Sequence, residues 1–194
     1  SKVDVPFDVV AKNDFYKMFG AVNWNEDGNK YSEETYKEGY KEGVFILYKN
    51  GQKHREGGYL DRKKHGLFTE WFDNGQKKQE GSFKEGRLSG SWIYWDEEGT
   101  MYKEETYKDG QLDGSVSLYY KNGQKEWRHT YNHGILDGPY TKWYKNGQRS
   151  VEGAFENGDA VGIWAWWNEQ GKVIKKEIYK KGTRGYLMGY KKYI

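Results

Sequence analysis

The sequence predicts an all-β fold: an elongated, twisted antiparallel β-meander of about seven stacked hairpins, with a repeat of 23–24 residues. Three observations predict it. An Asn-Gly-Gln turn recurs at Asn50-Gly51-Gln52, Asn74-Gly75-Gln76, Asn122-Gly123-Gln124 and Asn146-Gly147-Gln148, with degenerate copies around Gly28, Gly99 and Gly171. Gly28 to Gly51 is a step of 23 residues and every later step is 24, and a fixed period of this size marks a repeat array. A second glycine recurs between these turns, at Gly39, Gly86, Gly110, Gly134, Gly158 and Gly182, with Arg62 in its place once. Finally, aromatic residues make up 18% of the chain against 35% for all hydrophobic residues, which suits a thin, solvated sheet better than one compact aliphatic core.

Residues 90–113 show how one unit is built. Gly90 opens it and an aromatic strand follows over residues 91–96. The chain turns at Glu98-Gly99, runs back over residues 100–107 and turns again at Asp109-Gly110. Asn-Gly and Asp-Gly supply the positive φ angles of tight hairpins. Two turns per unit give two short strands, and consecutive tight turns make neighbours antiparallel. The opening glycines Gly66, Gly90, Gly114, Gly138 and Gly162 predict a bulge or a close backbone approach.

Period-2 alternation divides the first strand of each unit into two faces. The expected packed face carries Trp24, Leu47, Trp71, Trp95, Tyr119, Trp143 and Trp167, with uncharged neighbours from Phe45 and Thr69 to Ala165. The opposite face mixes rings with charge: Phe68, Phe72, Trp92, Tyr94, Tyr120, Tyr140, Tyr144, Trp164 and Trp166 interleave with Glu70, Asp96 and Lys142. Such a face suits a partly wet surface, and these nine rings are the candidate partner-binding residues. A uniform ring closes the second strand, at Tyr36, Tyr59, Phe83, Tyr107, Tyr131, Phe155 and Tyr179, and is expected to stack between hairpins.

The array is expected over residues 20–185, between an N-terminal capping segment at 1–19 and a C-terminal one at 186–194. Residues 5–16 leave the period and are comparatively apolar, and residues 186–194 leave it too, so both are expected to cover the sheet edges, where unpaired strands invite association, or to pack on a face.

Composition narrows the function. The 32 basic and 29 acidic residues are interleaved, without the clustered basic face of a nucleic-acid binder. There are no cysteines, hence no disulfides, thiol nucleophiles or cysteine-built metal sites. No apolar run reaches the ~18 residues of a membrane span. The chain begins at Ser1 rather than Met, so the location is read as cytoplasmic or, had a leader been removed, periplasmic or envelope-associated.

The pattern G-x-aromatic-x-x-aromatic-aromatic-x-N-G-Q, then Glu, an aromatic residue and a turn glycine, resembles the MORN-repeat variant family, in which YwqK-type antitoxins fall. The resemblance covers roughly residues 20–182 and implies stacked hairpins in an antiparallel sheet. Of the Tyr-Glu-Gly and His-Gly of the standard repeat, His65-Gly66 matches the latter at a repeat-opening glycine.

No catalytic, cofactor-binding or metal-binding set is read from the chain. His129 and His133 lie across a strand and turn, without a third ligand. The glycines are turn glycines, and neither a phosphate-cradling loop nor a nucleophile elbow is present. Glu33, Glu56, Glu80, Glu104 and Glu152 recur with the scaffold, which points to a repeated structural bond rather than an acid/base pair. The reading is a non-enzymatic protein-binding scaffold, which the resemblance extends to an antitoxin or immunity protein neutralising a toxin. The alternative is an envelope module binding glycan or lipid headgroups.

Overall fold

The computed structural model describes residues 7–8 and 18–181, all in strands and turns. The chain forms two compact units, Ser1–Met101 with Tyr107–Gln111, and Tyr102–Thr106 with Leu112–Ile194. In the first unit the strands are β1 (Phe7–Asp8), β2 (Met18–Trp24), β3 (Lys30–Lys37), β4 (Tyr40–Lys49), β5 (Gln52–Leu60), β6 (Lys63–Lys64), β7 (Gly66–Trp71), β8 (Lys77–Lys84) and β9 (Arg87–Trp95). Strands β10 (Met101–Lys108) and β11 (Gln111–Tyr119) contribute to both units. The second continues with β12 (Lys125–Asn132), β13 (Ile135–Leu136), β14 (Gly138–Trp143), β15 (Arg149–Glu156), β16 (Asp159–Trp167) and β17 (Val173–Tyr179).

Within each unit the hairpins pair antiparallel in chain order, so the predicted meander is the observed fold. Phe7–Asp8 pairs with β2, Phe7 opposite Gly20. Met18 and Phe19 of the expected N-terminal cap belong to β2; its residues 1–6 and 9–17, the C-terminal cap and Gly182 lie outside the described residues.

The two turn types do different work. At Asp109-Gly110 both residues have positive φ, 51° and 86°, as a two-residue hairpin requires. At the Asn-Gly-Gln turn of β7–β8, the Gly75 amide donates to the Phe72 carbonyl and the Phe72 amide donates to the Gln76 carbonyl. Only Gly75 is left-handed there, at φ 84°. This is a three-residue loop closed by a glycine bulge, and Asn74 keeps an ordinary backbone.

Its side chain is therefore free to link hairpins. Asn74 Oδ1 accepts from the Gln76 amide at 2.9 Å, while its Nδ2 donates to the Glu97 carbonyl of the next turn at 2.7 Å. Asn122 reaches the Lys145 carbonyl at 2.9 Å and Asn146 reaches the Glu169 carbonyl at 3.0 Å in the same way. Turns without that asparagine cap themselves differently: Asn25, Asp96 and Asn168 accept from the amide four residues on. The opposite rim is linked too, the amides of Gly86, Gly110, Gly134 and Gly158 donating to Lys64, Leu88, Leu112 and Leu136 carbonyls. The turns are latches between successive hairpins, and not only markers of register.

Ladders between hairpins carry a two-residue offset: Glu80 faces Ile93, whereas Ser82 faces Ser89. The offset falls at Gly90, φ 73°, so the opening glycines do sit at bulges.

The buried face of the sheet is not the one the sequence predicts. Phe45 pairs with Gly57 and Phe68 with Gly81, so these rings are equivalent and share one face with Trp92. Tyr48, not Leu47, is the counterpart of Trp71: Tyr48 pairs with Lys53 as Trp71 does with Lys77. The cause is the Asn50-Gly51 turn, left-handed at both residues and closed by Lys49 opposite Gln52, which is one residue shorter than its homologues. A one-residue slip exchanges the two faces of a strand.

The core lies on the face that had been expected to be wet. In the first unit Phe45, Phe68 and Trp92 are buried, with Leu47, Tyr59, Phe83, Leu88, Tyr94 and Tyr107 packed against them. In the second, Phe155, Ala160 and Trp164 are buried against Leu136, Tyr140, Val151, Trp166 and Tyr179. The uniform second-strand rings stack as expected. Phe83 meets Phe68 at 5.7 Å and Trp92 at 5.2 Å, both edge-on, and Phe155 meets Trp164 at 5.2 Å. Glycines on neighbouring strands accommodate these rings: a methyl group on Gly81 would lie 2.2 Å from Trp92.

Candidate functional site

The nine candidate rings separate into three groups. Phe68, Trp92 and Tyr94 line an open groove in the first unit, together with Phe45, Leu47, Tyr59, Phe83 and Leu88. Tyr140, Trp164 and Trp166 belong to the core cluster of the second unit. Phe72, Tyr120 and Tyr144 stand at the first position of Asn-Gly-Gln turns. Three of the nine are buried: Phe68, Trp92 and Trp164 are 8%, 3% and 1% accessible. They are core rings whose edges floor a groove or whose bulk fills a cluster.

Tyr120 and Tyr144 have a defined structural role. The Tyr120 hydroxyl donates to the Trp143 carbonyl at 2.8 Å, and the Tyr144 hydroxyl to the Trp167 carbonyl at 2.7 Å. Each is a strut to the following hairpin. Burial, with Glu126 and Tyr144 nearby, raises the Tyr120 phenol above its ordinary value, so the hydroxyl remains a donor.

The groove has a volume of about 490 Å³. Its floor is a line of rings on alternate strands because the equivalent position of β4, β7 and β9 carries Phe45, Phe68 and Trp92. The equivalent position of β5 and β8 is Gly57 or Gly81, which lets rings lean across. One bank holds Glu70, Arg55 and Gln79; the other holds Glu34, Lys41 and Lys64.

The charges of the banks are arranged by depth. The Glu70 side chain is 5% exposed, and accepts from Gln79 at 2.5 Å and from Arg55 and Lys78, each at 3.3 Å. Burial works to raise its pKa, but the Gln79 bond and the two cations outweigh it and hold the carboxyl below its ordinary value. Glu34 is similar: burial opposes ionisation, while Lys41 at 2.6 Å and the Tyr36 hydroxyl hold it below the ordinary value. Lys64 lies over the rings of Phe68 and Phe83, 5.5 and 5.0 Å from their centroids.

The repeated glutamates are structural, as expected. Glu56 pairs with Lys53 at 2.9 Å and Glu152 with Arg149 at 2.7 Å, while Glu80 joins Lys77 and the Thr69 hydroxyl. Glu33 accepts from Lys30 and the Tyr48 hydroxyl. His129 and His133 have unrelated settings. His129 is buried in ring contact with Trp127 and Tyr140, and His133 is exposed in a turn beside Asp113.

Sequence reasoning missed Phe45, Arg55, Glu70, Gln79 and Lys64 as groove residues. The available signal was Gly57 and Gly81, glycines within second strands where no turn needs them.

Among the described residues, no helix is long and apolar enough to cross a membrane. No curated protein matches the chain. A chain in the crystal structure of a GtfA/B complex bound to UDP and GlcNAc is similar over 92% of this chain at 12% identity, with a TM-score of 0.21; this chain spans 27% of that one. The MORN repeat variant matches residues 64–85, 88–109 and 136–157, and the first of these segments carries Lys64, Phe68, Glu70, Gln79 and Phe83 of the groove.

Proposed function

We propose that the chain is a non-enzymatic binding scaffold that holds another protein against the aromatic groove of its first unit. The observation that carries this reading is the groove itself: an open trough in which the partly exposed rings Tyr59, Phe83 and Tyr94 stand over the buried Phe45, Phe68 and Trp92, banked by charged side chains. Aromatic anchors set among polar groups are the usual energetic centre of a protein interface. The match to the MORN repeat variant supports a repeat-based binder. Within that class an antitoxin or immunity role is the finer reading, supported by the family resemblance.

The test is affinity capture from the source lysate with the full chain, compared with a Tyr94→Ala, Lys64→Gln variant whose circular dichroism is unchanged. A partner held by the first and lost by the second supports the groove. A partner retained by both places binding elsewhere. For the finer reading, co-expression with a neighbouring toxin gene should relieve growth arrest, and continued arrest counts against it.

One observation favours a second reading. The planar polar groups of Glu70, Arg55 and Gln79 beside a line of rings would also suit a glycan, whose faces stack on aromatics. A glycan array screened with the same pair of proteins distinguishes it.

A further inference from the structure

The carboxylates and cations of the groove are not equally available to a guest. The Glu70 and Glu34 side chains are 5% and 10% exposed, whereas their partners Arg55, Lys78 and Lys41 are 46%, 48% and 43% exposed. Both carboxylates are already satisfied within the chain, by Gln79 with Arg55 and Lys78, and by Lys41 with Tyr36. Lys64 is also exposed, with its ammonium over the floor rings. With Lys78 included, the four cations Lys41, Arg55, Lys64 and Lys78 stand against the two carboxylates Glu34 and Glu70, so the groove carries a net positive charge.

The neighbouring rim reinforces this. Arg62, Lys63, Lys84 and Arg87 are exposed at successive second turns and outnumber the exposed Asp61 and Glu85 there. Cations so placed attract an approaching anion before contact. The floor below them offers rings only.

We propose that the groove receives an acidic segment of a partner protein, with its carboxylates on Arg55, Lys64 and Lys41 and its apolar side chains on the partly exposed Leu47, Tyr59, Phe83 and Tyr94. This rests on the reading of the chain as a protein-binding scaffold and adds the chemistry of the partner. Pairing of Glu34 with Lys41, and of Glu70 with Arg55 and Lys78, offsets the chain's own anions toward that segment. Lys64 has to swing off the rings to admit apolar groups, and a carboxylate gives its ammonium a second place to go.

The experiment is selection from a random linear-peptide library on the immobilised full chain, followed by titration of the selected peptides monitored by tryptophan fluorescence. The expected result is enrichment of Asp and Glu interleaved with aromatic or aliphatic residues. Affinity for those peptides should fall about tenfold in the Lys41→Gln, Lys64→Gln variant, and should fall again as salt rises from about 0.1 to 0.5 M. A Lys145→Gln control in the second unit should change nothing. Selection of basic or uncharged peptides that still need the groove overturns the charge assignment and leaves the scaffold reading standing. Acidic peptides that bind both proteins equally overturn the placement. Binding of a glycan or of anionic vesicles, lost in the same double variant while no peptide is selected, overturns both in favour of a non-protein ligand.

Discussion

The indole of Trp164 lies over the α-carbon of Gly153, so close that a methyl group there would stand 2.2 Å from the ring. Gly81 and Trp92 repeat the relationship in the first unit, also at 2.2 Å. Neither glycine has a positive φ, so the requirement is space and not backbone freedom. Gly153→Ala and Gly81→Ala should each cost about 3 kcal/mol, the upper range for overpacking a core, because the ring has to leave its seat. Urea unfolding checks this. Gly123→Ala, where the space is open but φ is 80°, should cost only about 1 kcal/mol.

The Arg62 guanidinium stacks 3.3 Å from the ring centroid of Tyr40, in the turn where the repeat would place glycine. Arg62 has φ 64°, a conformation costing a side-chain-bearing residue about 1 kcal/mol or more. The stack offsets that by about 1 kcal/mol. Arg62→Gly should therefore be close to neutral in the native chain and stabilising when Tyr40 is already Ala. A double-mutant cycle by thermal unfolding reads the coupling, and additive effects would show that the stack contributes nothing.

Burial among Trp127, Tyr140 and Tyr131 pushes His129 down from an ordinary 6.5 to about 4. The unfolded chain then takes up a proton as pH falls through 6.5, and the folded chain does so only near 4. Stability is full above that window and falls on acidification, by up to about 1.4 kcal/mol per pH unit. The carboxyls held low by their partners, such as Glu34 and Glu70, add their own losses only at more acid pH. His129→Leu should flatten the urea midpoint between about pH 6.5 and 4.5, and an unchanged slope would assign it elsewhere.

Tyr144→Phe should remove the bond to the Trp167 carbonyl, and Asn146→Ala the bond to the Glu169 carbonyl. Each should cost about 1 kcal/mol, with faster amide exchange confined to the last two hairpins. Unaltered stability with lost partner binding would instead make Tyr144 a contact residue.

The period, the two turns per unit and the bulge glycines were legible because each follows from a backbone demand that glycine or asparagine meets. Which face is buried was not. The Asn50-Gly51 turn is one residue shorter than its homologues, yet glycine spacing shows only that the period differs somewhere, and the missing residue falls before the turn glycine. That single residue moved Phe45 and Leu47 to the wrong face. Glu70 and Lys142 then made the core row look wet, because a charge two residues from a ring suggests solvent. In the fold Glu70 is sunk under Gln79 and Arg55, and Phe68 and Trp92 rest on glycine instead of opposing rings. A strand that buries rings against glycine leaves no run of hydrophobic residues to read.

The asparagine latches all point one way, each donor turn reaching the carbonyl of the turn that follows it in the chain. Because the acceptor is a main-chain group, any later hairpin can serve, whatever its side chains: Asn146 binds Glu169 in a turn that has lost the motif. A tandem duplication of one unit would thus arrive with its donor already matched to an acceptor. Such a lineage could lengthen in whole steps and let individual turns decay, while its strands diverged toward new partners.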